Sequence, residues 1–448
     1  MKWTVLGMYT VVFLCILSYF SLRFTPEVSE VEDGERVLLT NASSVAIDGD
    51  RLAGFIRIKN ERFYFTSLIQ TAEEQEKLAA SLLEGASVFA TIHFKEIAPP
   101  PHQYAFDFKN YLKNKGVQRQ IELTSLSDWQ ESQQPLAKLL KIRQRIQKNI
   151  EMYFPPLLAK EMKALLIGER SDTVIEEQEM FQRLGISHLL AISGLHIGLL
   201  TFLMRAIGLR LGFTKEKVDL VLFICLPLYA VLAGLSPSVM RACLMTMFLI
   251  LALRFPQWLK PMDAIAFSFI GLVLYHPYLM AMPGFQFSFG AAFTIIMSRQ
   301  LLQQQSSFKQ LFLISLLTQI TLYPLLLFHF YELSLSSIVV NILYVPIYSF
   351  VLLPLYLILL FLSFTTPFLL TVVLPVLYPI RELFQLFTEG LASLPYQMWV
   401  GGALSKTVTF LLTMSVALSL YFYEMKRKKT ALLLISLPLM IIVSKPYL

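Results

Sequence analysis

Hydrophobic and polar positions divide the chain into stretches of three kinds. Residues 3–22 form an apolar run long enough to cross a bilayer as one helix. No small-residue cleavage site follows, so residues 1–23 read as an uncleaved N-terminal transmembrane anchor. From 24 to 135 the pattern becomes period-two alternation in short segments, at 36–47, 51–59, 61–68 and 86–97, with Asp48-Gly49-Asp50 and Lys59-Asn60 as turns. Gly54-Phe-Ile-Arg-Ile-Lys59 and Arg62-Phe-Tyr-Phe-Thr66 suit half-buried strands of a small β-barrel, and a helix is predicted over 71–84. An oligonucleotide-binding barrel is one such architecture. Phe63, Tyr64 and Phe65 would then stack bases, or, as aromatic strand residues more often do, fill the core.

Pro99-Pro-Pro101 marks a boundary. Residues 136–184 read as amphipathic and interfacial helices. In 136–149, Leu136, Leu139, Leu140, Ile142 and Ile146 oppose Lys138, Lys141, Arg143, Arg145 and Lys148. Such a helix lies among lipid headgroups or collects polyanions at a channel mouth. Beyond it, apolar runs follow one another at 185–210, 218–235, 237–254, 261–276, 283–299, 309–330, 337–363, 367–390, 407–423 and 430–445. The fold class is therefore a polytopic α-helical membrane protein of about 11 spans carrying an extracytoplasmic barrel. Asn341 and Pro346 interrupt a run too long for one upright helix, which predicts a broken or re-entrant element there.

Composition agrees: hydrophobic residues make up 55% of the 448 and charged residues 15%, which excludes a soluble globular domain. The net charge of +7 conceals a split, because acidic residues outnumber basic ones between 24 and 135. Basic residues gather in alternate loops: Arg210, Lys215 and Lys217; Arg254 and Lys260; Arg299 and Lys309; and Lys426-Arg-Lys-Lys429. The positive-inside rule then sets the N-terminus inside, residues 24–184 outside and the C-terminus outside. Cys15, Cys225 and Cys243 all lie in apolar runs and suggest neither a disulfide framework nor a metal cluster.

Candidate chemistry sits where the membrane runs are least apolar. Gly185-Ile-Ser-His-Leu-Leu-Ala-Ile-Ser-Gly-Leu-His-Ile-Gly198 carries two histidines, two serines and three glycines. Polar groups at bilayer depth are costly and usually face a bundle interior or a wet path. Ser193 and His196 stand one turn apart, and Gly194 and Gly198 form a G-x-x-x-G that invites close helix approach. Ser236-Pro-Ser-Val-Met-Arg241 puts an arginine one turn into a span, and Pro283-Gly-Phe-Gln-Phe-Ser288 puts Gln286 and Ser288 in another. Arg381 and Glu382 pair with each other or with a neighbouring helix. The accumulation points to a hydrophilic path lined by His188, Ser193, His196, Arg241, Gln286, Ser288 and Asn341.

Ala164-Leu-Leu-Ile-Gly-Glu-Arg170 and Phe181 through Gly198 resemble the signature of the ComEC competence family of DNA-uptake channels. Arg241-Ala242, Pro283 through Ser288 and Asn341 through Pro346 fall where that family has further motifs, and Ala105 through Gly116 is similar to part of its outer domain. The resemblance covers roughly 24–420. It implies a cytoplasmic-membrane channel, formed by 185–448, that passes single-stranded DNA into the cytosol during natural transformation, with an oligonucleotide-binding-like domain at 24–135. Implied partners are single-stranded DNA, a DNA receptor on the outer face, a cytosolic helicase-like ATPase, a separate nuclease and membrane lipid. Many members carry a C-terminal metallo-β-lactamase-like domain. Here the histidines are 93, 102, 188, 196, 276 and 329, with no H-x-H-x-D-H cluster, so no such domain, and no metal or other cofactor, is expected in this chain.

An inside-negative potential opposes each entering phosphate by about 2.3 kcal/mol per 100 mV. The chain has no G-x-x-x-x-G-K-[ST] loop, so the pull is expected from a partner and the chain itself is not expected to be an enzyme. A rival class is an intramembrane serine hydrolase. Ala191-Ile-Ser-Gly194 resembles the G-x-S-G of rhomboid proteases, with His276 or His329 as base. A small-solute transporter is a third reading, without an internal repeat to favour it.

Overall fold

The computed structural model describes residues 31–41, 46–58, 61–69, 86–100, 108–124, 135–170 and 175–434, apart from some single positions. The anchor at 1–23, most of the helix expected at 71–84 and most of the run at 430–445 lie outside the described residues. The described chain falls into two compact units, one within 1–147 and 270–282, the other within 148–269 and 283–448.

The first unit is built on six strands: β1 (Arg36–Asn41), β2 (Ala46–Asp48), β3 (Arg51–Ile58), β4 (Glu61–Leu68), β5 (Ser87–Lys95) and β6 (Val117–Thr124). Their order is β1-β5-β6-β4-β3-β2, and β1 also pairs antiparallel with β3, so β1, β5, β6, β4 and β3 close on themselves. Every pairing is antiparallel except β4 with β6. Closure removes the exposed edges that an open sheet would present. Alternation decides which side chains enter. On β4, Phe63 and Phe65 are fully buried and join Leu39, Leu52, Ile56, Val88, Ile92 and Ile121 in the core. Tyr64 points outward, edge-on to Phe55 and to Phe108 of α1 (Phe108–Asn114). The aromatic run thus divides, with two rings in the core and one on the surface.

The amphipathic helix is α2 (Pro135–Tyr153). Its buried stripe is Ala137, Leu140, Arg143 and Ile150, while Ile142 is 44% exposed. The shielded face is therefore rotated from the one that hydrophobicity suggests, and it includes one of the arginines.

In the second unit come α3 (Pro156–Met162), a π-helical turn (Lys163–Ile167), α4 (Ile175–Arg183), α5 (Gly194–Arg210), α6 (Lys215–Leu232) and α7 (Pro237–Arg254). They are followed by α8 (Pro261–Tyr275), whose residues to 269 belong to this unit, then α9 (Pro283–Met297), α10 (Arg299–Gln303), α11 (Ser307–Phe330) and α12 (Ser337–Pro346). A second π-helical turn (Ile347–Leu352) leads into α13 (Leu353–Thr365), α14 (Phe368–Ala392) and α15 (Lys406–Glu424); β7 (Glu332–Ser334) and β8 (Met398–Val400) pair as a small hairpin-like ladder. Proline opens α2, α3, α7, α8 and α9, where its missing N–H costs nothing and its fixed φ favours the first turn. Among the described residues, five helical stretches are long and apolar enough to cross a membrane: 237–254, 307–330, 337–365, 368–392 and 406–423. The chain is a multi-pass helical membrane protein.

Two expectations need correction here. Residues 185–193 are not the first turns of a span, because α5 begins only at Gly194. Gly185 adopts φ +68°, and a methyl there would collide with Ser337, so the chain turns sharply instead of continuing helical. The long run around Asn341 and Pro346 does not break. It stays helical from Ser337 to Thr365, with the π turn directly after Pro346 absorbing the missing backbone donor.

Candidate passage through the helical unit

The polar motif at 185–198 has a local structural explanation first. Ser193 is the N-cap of α5: its Oγ accepts from the His196 amide at 3.4 Å, while the Ser193 amide donates to His196 Nδ1 at 3.3 Å. This reciprocal box satisfies two of the donors that a helix start leaves unpaired. Upstream, the motif docks on the start of α12. Ser334 and Ser336 donate to the Arg183 carbonyl at 2.6 and 3.3 Å, and Ser337 donates to the Ser334 carbonyl and to Gln319. His188 is exposed in the turn before α5, within electrostatic reach of His196.

The helices that carry the candidate residues form a closed circuit. α5 packs on α7, α7 on α9, α9 on α11 and α11 on α12, and the π turn after α12 packs back on α5.

Several buried polar atoms on this circuit have no partner. His196 is fully buried, and its Nε2 has no hydrogen bond. Arg241 is 7% exposed, its Nε is unpaired, and its Nη1 reaches only Met245 Sδ at 3.6 Å. The guanidinium lies 5.9 Å from the centroid of Phe289 on α9, and a methyl added at Gly194 would sit 2.6 Å from Nη2. Arg241 thus touches both circuit neighbours of its own helix. Asn341 Oδ1 and Ser349 Oγ are likewise without hydrogen bonds. Buried polar groups are nearly always paired, and these exceptions lie on adjoining helices of the circuit.

The remaining candidates behave otherwise. Gln286 Oε1 is 2.9 Å from His329 Nε2, joining α9 to α11, and Ser288 is half-buried on α9. The close-approach reading of Gly194 and Gly198 holds for one of the two: Gly194 takes the Arg241 side chain, whereas Gly198 faces open space. On α2, Lys138 and Arg145 are exposed, Lys141 and Lys148 are half-buried, and Arg143 is buried.

Of the two alternatives for Arg381, the neighbouring helix holds, with a partner the sequence did not single out. Arg381 on α14 pairs with Glu161 on α3: both are 3% exposed, with Nε to Oε2 at 2.8 Å and a second contact from Nη2. Tyr356 donates to the same carboxylate at 2.5 Å. A lone acid in Pro156-Leu-Leu-Ala-Lys-Glu-Met162 was the available signal. In the barrel unit, Arg62 and Lys115 lie over the Phe55 ring at 4.7 and 5.6 Å, giving the outer face a cationic, aromatic patch. Burial there, with Arg62 beside it, pulls the Lys115 ammonium below the usual lysine range.

A small closed barrel and a helical unit with several apolar helices define a multi-pass membrane protein with a barrel domain. The family model described as "Competence protein" matches residues 165–427. ComE operon protein 3 of Bacillus subtilis (strain 168) is 36% identical over 311 residues, which cover 69% of this chain and 40% of that protein. No solved structure matches. The chain belongs to the ComEC competence family, and it spans less than half the length of that curated relative.

Proposed function

We propose that this chain is the cytoplasmic-membrane channel through which one DNA strand enters the cytosol during transformation, with the circuit of α5, α7, α9, α11 and α12 as its path. The observation that carries this reading is the set of unpaired buried polar atoms on adjoining helices of a family member. They are mostly weak donors and acceptors, which suits a polyanion that must leave as readily as it enters. Opening would bend the circuit where it is already irregular, at Pro324 in α11 and at the π turn after Pro346.

The termini are oriented with the N-terminus inside, the barrel outside and the C-terminus outside, following the basic loops. The barrel's strand order and its single parallel pair support an oligonucleotide-binding-like domain. The phosphate backbone is drawn in by a cytosolic helicase-like ATPase, a surface receptor delivers it and a separate nuclease removes the other strand. The chain itself catalyses nothing in this scheme. No ring nitrogen among the described histidines bonds Ser193 Oγ, and His329 is engaged by Gln286, which counts against the hydrolase reading.

Uptake of a duplex bearing a different label on each strand tests the proposal. One label should reach the cytosol in cells with this chain and neither in cells without it. Entry of both strands, or undiminished entry without the chain, would refute it.

A further inference from the structure

The least satisfied group in the circuit is Arg241. It is more than nine-tenths buried, and among the described residues no carboxylate pairs with it. Its surroundings make its charge less comfortable still. The guanidinium lies against Gly194, the first residue of α5, whose terminus carries partial positive charge. Arg241 is also the fifth residue of α7, close to that helix's own positive end. Cations are favoured at helix C-termini, so a shielded arginine at two N-termini is an arrangement that an anion would resolve.

The donors around it match one kind of anion. The α5 amides at Gly194 and Leu195 precede the first intrahelical bond, as the opening amides of any helix do. Arg241 adds Nε and Nη2 in a planar fork, and His196 adds Nε2 when that nitrogen carries the proton. A fork beside a helix N-terminus is the geometry that holds two oxygens of a phosphate. Phe289 beneath the guanidinium fixes its plane.

We propose that Arg241, the N-terminus of α5 and His196 together grip one backbone phosphodiester of the strand in transit. This rests on the channel reading and adds to it a single charge-reading station among otherwise weak contacts. One strong site retains the strand against slippage between pulls, whereas several would trap it.

The purified full chain, in detergent, should be titrated with a thymidylate 20-mer carrying ordinary phosphodiesters and with one carrying uncharged methylphosphonate linkages. Wild type should prefer the charged strand. Arg241→Gln should lower affinity for that strand roughly 10- to 100-fold, leave the uncharged strand unchanged, and unfold no earlier than wild type without DNA. Gly194→Ala keeps the charge but pushes the guanidinium off the helix end, and should lose the same preference. Unchanged preference in both variants would overturn the site. So would early unfolding of Arg241→Gln with equal loss of both strands, which marks a merely structural arginine. Inorganic phosphate competing as tightly as the oligomer would overturn it as well, in favour of a small-anion site. If wild type binds neither strand, the channel reading itself fails.

Discussion

Two arginines are buried in the same membrane unit, and they are treated in opposite ways. Arg381 meets Glu161 through two hydrogen bonds; Tyr356 completes the carboxylate, and Phe384 lies 5.1 Å beneath the guanidinium. Its charge is neutralised within the chain, and it ties α3 to α14 across 220 residues of sequence. Arg241 has a thioether, a ring face and a helix start around it and, among the described residues, no acid paired with it. A charge cancelled internally is architecture. A charge held in place without its counter-ion is poised for something that comes from outside. The distinction separates the frame of the helical unit from the proposed path more sharply than burial alone, since both side chains are shielded.

The largest effect should come from breaking the closed pair. Arg381→Met alone leaves a buried, uncompensated Glu161 and should cost about 3–5 kcal/mol, read as a lower unfolding temperature in detergent. Combining it with Glu161→Met should restore most of that loss, although Tyr356 then lacks its acceptor. A single variant as stable as wild type would erase the contrast between the two arginines.

A smaller effect belongs to the cap of α5. Ser193→Ala removes one capping acceptor and should cost about 1 kcal/mol, with Ser193→Asp nearly neutral. Labelled DNA should still be internalised by Ser193→Ala at a reduced level, because the channel proposal gives the hydroxyl a capping role alone. A loss of several orders of magnitude with the protein still in the membrane would revive a nucleophilic serine. Smallest of all on stability should be Arg241→Gln, whose effect falls on DNA instead.

Much of this frame can be read along the chain because its rules are local. Alternation on β4 sends Phe63 and Phe65 inward and Tyr64 outward, and Pro237, Pro261 and Pro283 open helices where they stand. The site is less legible because its determinants are not local. Gly185 to Ser193 runs on into the apolar stretch of α5, and the left-handed turn at Gly185 and the cap at Ser193 set it apart. Ile142 and Arg143 exchange their expected environments on α2 because tertiary packing outweighs the hydrophobic stripe. Glu161 and Arg381 each look like a lone charge until the fold joins them. The candidate residues were identifiable as polar in apolar surroundings; which of them lack a partner depends on the circuit that brings α5, α7 and α9 together.

The central claim is that the inside of this circuit is where DNA travels, and α12 offers a direct comparison. Asn341 and Val339 are two residues apart on one helix, at nearly the same depth and on opposite sides. Val339 is 68% exposed, while Asn341 is half-buried with an unpaired Oδ1. A photo-crosslinking side chain placed at each position, in cells taking up labelled DNA, reports which side the strand passes. Crosslinks to DNA from 341 and to lipid alone from 339 are expected. Equal DNA crosslinking at both positions, or DNA at 339 and none at 341, would contradict the path.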